Sequence, residues 1–139
     1  MQLAINYSPP AAKLVNSGQI QIDLFKVPDW DWLVKDASTL RPVAVHFTLE
    51  AGNDSLGEVD WKRITRLLDE TGTPHVNLHL DARGCYYPGI PVDSTDESVV
   101  EQVYAIIRAD VMHVVNRFGA ARTIIENSPY HGEEGNTMR

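Results

Sequence analysis

Three short apolar runs in this chain end in a side chain that binds divalent metals: His46 in PVAVHF, His79 in HVNLHL and Glu126 in TIIEN. Imidazole nitrogens and carboxylate oxygens suit Zn²⁺, Mn²⁺, Fe²⁺ or Co²⁺. An ion so held polarises a carbonyl or hydroxyl, or lowers the pKa of a bound water. Each run is β-branched or aliphatic and gives way to loop-like sequence. In parallel α/β folds the carboxyl ends of strands are where sites are built. Hydrogen-bonded structural histidines at strand ends are the alternative, so the chemistry depends on the three side chains converging.

The elements that must position them alternate along the chain. Residues 3–7, 20–27, 43–49, 75–80 and 123–126 read as five strands. Helical patterns fall at residues 9–17, 30–37 and 60–70, the last with Asp60 as cap, Ile64, Leu67 and Leu68 on one face, and Gly72 as stop. A Pro/Gly-containing loop covers residues 81–94. Thr95 or Asp96 then caps the longest helix, ending near Phe118, with Val99, Val103, Ile106, Ile107, Val114 and Phe118 on its apolar face. The order βαβαβαβαβ requires one parallel sheet of five strands with crossover helices.

Side chains alternate between the faces of a strand. Asn6, Asp23, His46, Asn77 with His79, and Glu126 therefore stand opposite the aliphatic residues of their own strands. In an open sheet covered by helices on both sides, a polar residue in every strand is costly. At the mouth of a barrel it is not, so the pattern favours part of a (β/α)8 barrel. A flavodoxin-like doubly wound sheet fits the length, but SPPAAK after the first strand lacks a Gly- or Ser/Thr-rich phosphate cradle.

IIENSPYHGEEGNTMR, VHFTL, NLHLDA and IDLF together resemble segments of the xylose-isomerase-like TIM-barrel superfamily, which includes sugar isomerases and epimerases and family-2 AP endonucleases. The resemblance implies a divalent-metal-dependent isomerase or epimerase acting on a small sugar or polyol. It makes His46, His79 and Glu126 metal ligands for Zn, Mn, Mg or Co, and Glu126 and Asp23 the candidate catalytic residues. Asn77, Asn127 and Asp23 are candidates to orient the ligands. Asn6, Asn77, Asn127 and Tyr86 are the expected substrate contacts, with Tyr86 and Tyr87 either stacking on a sugar face or pinning their loop. His75, His113 and His131 read as surface or packing residues, and the Glu133–Glu134 pair as solvated charge. Trp30, Trp32 and Trp61 read as core or rim aromatics.

A complete barrel of this type has eight strands in roughly 250 residues. The 139 residues here supply five, so the resemblance implies the N-terminal part of a barrel, inactive by itself, or a half-barrel that self-associates through open sheet edges. That length suits one ordinary domain. A 43% apolar and 22% charged composition is that of a globular chain. No signal peptide or membrane-length apolar run is visible, and one cysteine, Cys85, makes a reducing cytoplasmic setting the default. A formal charge of −7, from 19 acids against 12 bases, disfavours phosphate-backbone binding. Small-molecule substrates are favoured over nucleic acid, and phosphodiester hydrolysis ranks behind isomerisation. A non-catalytic binding module is the remaining class.

Overall fold

A computed structural model describes residues 2–127, which form two compact units. The first runs to Thr48 and includes Asp60–Val76; the second comprises Leu49–Val59 and the chain from Asn77 onward.

In the first unit, β1 (Ala4–Asn6), β2 (Leu24–Pro28) and β3 (Val43–His46) form a parallel sheet in that order. Helices α1 (Pro9–Asn16), α2 (Asp31–Ser38) and α3 (Trp61–Thr71) complete it. Local chemistry explains the helix boundaries. Ser8 accepts a hydrogen bond from Ala11 N ahead of Pro9 and Pro10, which are tolerated in a first turn because their missing N–H groups would have no helical partner there. Asp60 Oδ1 accepts from Lys62 N and Arg63 N, and Gly72 ends α3 in the left-handed conformation with φ 65°. Phe25, Val27, Val43 and Val45 are buried, as are Ile64, Leu67 and Leu68 of α3. The opposite face of the sheet carries Asn6, Lys26 and His46, by the same alternation.

The second unit contains β4 (Leu49–Ala51), most of β5 (Val76–Leu80) and β6 (Thr123–Asn127), ordered β4-β5-β6, with the long helix α4 (Glu97–Phe118). β4 and β5 are parallel, with Leu49 opposite Leu78 and Glu50 opposite His79. Asp96 is the cap of α4, accepting from Ser98 N. Ala82, Tyr87 and Val103 form a buried cluster against which Ile90 and Ile107 pack.

The single five-stranded sheet expected from sequence is replaced by two three-stranded sheets. Residues 43–49 belong to two strands, broken at Phe47 and Thr48, because β3 pairs with β2 and β4 with β5. Burial alternates without interruption across that break, so a period-2 pattern conceals it. Neither sheet closes on itself among the described residues. The second strand begins at Leu24, later than its alternation suggests. On α4, Val103 and Val114 are buried whereas Ile106 is exposed. Trp30 and Trp32 are exposed and stack on each other, with ring centroids 6.1 Å apart. No helix of the described residues is long and apolar enough to cross a membrane. His131, Glu133 and Glu134 lie outside the described residues.

Candidate metal centre

Within the second unit, β5 and β6 bring three of the expected site residues together. Asn77 and His79 lie two residues apart and so share a face of β5. Glu126, on the neighbouring β6, reaches both of them. Its Oε2 lies 3.5 Å from His79 Nε2, and its Oε1 accepts a 2.5 Å hydrogen bond from Asn77 Nδ2. The bond to Asn77 fixes one carboxylate oxygen and leaves the other directed at the imidazole.

The spacing of the two donors fits a metal. Donors about 2.0–2.2 Å from one tetrahedral ion stand about 3.4 Å apart. The nitrogen and oxygen pair suits a borderline divalent ion better than Mg²⁺, which favours oxygen and retained water. Asn77 is 2% exposed, and its Oδ1 has no hydrogen-bond partner among the described residues. A buried amide oxygen without a partner costs free energy, so this asparagine is not explained by packing alone.

Glu50 joins the same face of the sheet by register, directly opposite His79. Its Oε2 accepts a 2.6 Å hydrogen bond from Asn53 Nδ2. The Asn53 amide also approaches Asp81 Oδ2 at 3.4 Å, and Asp81, 1% exposed, is held by Arg83 through two hydrogen bonds of 2.7 and 2.5 Å. That pairing, mainly the hydrogen bonds to Asp81, raises the pKa of the Arg83 guanidinium above its ordinary value. The sequence reading missed Glu50 because it ended the strand at Leu49. The available signal was the acidic residue directly after the alternating run that ends at Leu49.

The other expected site residues have surroundings of their own. His46 ends β3 in the first unit, half-buried, and lines a cavity of about 360 Å³ with Asn6, Tyr7, Lys26, Val27 and Pro28. Asp23 precedes β2, where its Oδ2 accepts a 2.6 Å hydrogen bond from Leu3 N. It therefore stands at the amino end of its sheet, opposite the end that carries His46, and serves the backbone there. Tyr86 is partly exposed in the loop after β5, with the Arg83 guanidinium 5.2 Å from its ring centroid. Tyr87, by contrast, is buried and donates to Gly52 O, pinning the loop. Asn127 is exposed and, by alternation, faces away from Glu126.

Neither a family model, nor a curated protein, nor a solved structure matches the chain.

Proposed function

We propose that the chain carries a divalent-metal site of the kind used by isomerases and epimerases of small sugars and polyols, with His79 and Glu126 as ligands. The observation that supports this is the His79–Glu126 separation of 3.5 Å, with Asn77 holding the second carboxylate oxygen. His46, at the end of β3, is the third ligand in this reading, assigned by its position in the sequence. The same reading takes the parallel strands and helical connections as part of a (β/α)8 barrel resembling the xylose-isomerase-like type.

A bound ion would polarise the carbonyl or hydroxyl oxygens of the substrate, making a neighbouring carbon acidic. The protein groups have separate tasks. Asn77 orients Glu126, and a ligand carboxylate held this way keeps its geometry while substrate exchanges. Glu50, beside His79 on the adjacent strand, is an acid–base group on the same face of the sheet.

Metal binding by the full chain, measured calorimetrically with Mn²⁺, Co²⁺ and Zn²⁺ after chelation and dialysis, tests the proposal. Saturable binding near one equivalent that is lost in Glu126→Gln supports it. Binding unaffected by Glu126→Gln, or none at millimolar metal, removes it. Aldose–ketose interconversion and epimerisation, assayed with the metal that binds, then test the reaction class.

A further inference from the structure

We propose that Trp30 and Trp32 form a platform on the first unit for the ring of a neutral sugar. The residues it uses are Trp30, Asp31 and Trp32 with Asp29, Arg63 and Arg66, all in that unit. None of them is a proposed metal ligand or lines the cavity beside His46, so the inference stands without the metal site.

The pair stands just beyond the carboxyl end of β2, where parallel sheets place their ligands, at the start of α2. Trp30 is 53% and Trp32 65% exposed, and their rings stack 6.1 Å apart at an interplanar angle of 21°. Single exposed apolar side chains are ordinary, but two adjoining indoles present a continuous apolar surface of the kind that marks a binding site. The backbone beneath them is fixed. Arg63 Nη1 donates to Asp29, 8% exposed, at 3.1 Å. Asp31, between the two tryptophans, accepts from Arg66 Nη2 at 2.9 Å and from Arg63 Nε at 3.4 Å. Trp30 is thus tied to α3 on both sides, and a platform ordered before its ligand arrives loses less entropy on binding.

The polar groups around the rings choose the occupant. Neither indole N–H has a hydrogen-bond partner among the described residues. α2 opens at Trp30 without a side-chain cap, so the N–H of Trp32 has no helical acceptor. Asp31 is the matching acceptor. Each of its oxygens takes one guanidinium bond and keeps capacity for another. The hydrogen bond from Arg66, with the charge of Arg63, holds its carboxyl below the usual carboxylate range. Donors and an acceptor therefore flank an apolar face, matching the hydroxyl rim and C–H face of a sugar ring. Asp29 and Asp31 are each paired with arginine, so the local charge is balanced and favours a neutral ligand over an ion. The net charge of −7 further disfavours a phosphate backbone or an anionic membrane.

The test is chemical-shift titration of the indole and amide N–H signals of the full, metal-stripped chain. The probes are methyl β-D-glucopyranoside and, separately, cellotriose, each against sorbitol at equal concentration. Saturable shifts at Trp30 and Trp32 are expected with a pyranoside and not with sorbitol, which has the hydroxyls without a rigid ring face. Trp32→Ala should weaken binding by about ten-fold or more, as loss of one aromatic stacking surface predicts, while Trp32→Phe retains most of it. Trp32 is exposed, so both variants are expected to keep the wild-type melting temperature. Absence of saturable shifts, equal shifts with sorbitol, or equal affinity in wild type and a folded Trp32→Ala overturns the proposal. Indole shifts that follow protein concentration without sugar also overturn it, by assigning the pair to contact with a second copy of the chain. None of these outcomes bears on metal binding at His79 and Glu126.

Discussion

Glu126 Oε2 lies 3.5 Å from His79 Nε2 across neighbouring strands of one sheet. The separation is close enough for a direct charge-assisted contact when the imidazole is protonated. It also suits two donors of one ion, and a metal needs the imidazole neutral. Protons and metal therefore compete for the same pair. Metal affinity should be lower in acid than near neutral pH. A calorimetric titration at pH 7.5 and pH 5.5 measures the difference, and equal affinity at both would exclude a histidine ligand.

The ligands themselves are separable by substitution. His79→Ala and Glu126→Gln should each weaken metal binding by at least about 100-fold, the upper end of what losing a mere orienting partner costs. His46→Ala tests whether the strand-end histidine of the first unit is a third ligand. A comparable loss in that variant supports its membership, and wild-type affinity removes it from the site.

Asn77 distinguishes positioning from packing. Its Nδ2 holds Glu126 Oε1, while its own Oδ1 is buried without a partner among the described residues. Asn77→Leu removes both the hydrogen bond and the buried oxygen. Metal affinity should drop about 10–100-fold, since Glu126 is no longer oriented. Stability should change by less than about 1 kcal/mol, because an apolar residue of similar volume relieves the unsatisfied oxygen. Equal losses of affinity and stability would mean that Asn77 is a structural residue only.

The alternation of apolar and polar residues in HVNLHL was enough to place Asn77 and His79 on one face, and the same rule placed Glu126 opposite Ile125. Helix boundaries were legible from Asp60, Gly72 and Asp96, because caps are local chemistry. Strand partners were not, since pairing is decided by contacts distant in sequence. The alternation from Val43 to Leu49 is unbroken although two sheets share it. Asp23 illustrates the other limit. Its neighbours alternate like a strand, yet its carboxylate is used to accept from Leu3 N ahead of β2. Glu50 needed the β4–β5 register to become visible beside His79.

Asp96 makes α4 sensitive to acid. The hydroxyl and backbone N–H of Ser98, followed by the N–H of Val99, hold the Asp96 carboxyl below the usual carboxylate range. A depressed folded-state pKa contributes stability that is complete above the unfolded value of about 3.9 and disappears as pH falls through the folded one. Asp96→Ala should therefore lower the melting temperature at pH 7 and converge with wild type at strongly acid pH. Parallel curves at all pH values would show that the charged cap contributes nothing to α4.

Tyr87 gives the opposite pH dependence in the same unit. Its hydroxyl donates a 2.5 Å hydrogen bond to Gly52 O. Gly52 itself is fixed at φ 102°, with its N–H donated to Asp110 Oδ2 at 2.8 Å. A Cβ there would stand 3.1 Å from Ile107 Cγ1 and 3.2 Å from Tyr87 OH, so the turn and the tyrosine are matched to each other. Burial raises the pKa of the Tyr87 phenol, and the carboxylates of Asp110 and Asp81 add to the shift. A raised pKa contributes stability that is complete below the unfolded value of about 10 and lost as pH rises through the folded one. Tyr87→Phe should cost about 1–3 kcal/mol at pH 7, because Gly52 O is left without its donor. At more alkaline pH the cost should shrink, since the wild-type phenol must then ionise against two carboxylates. Urea unfolding at pH 7 and pH 10.5 measures both effects, and a cost that stays constant with pH would show that the phenol does not titrate in its folded setting.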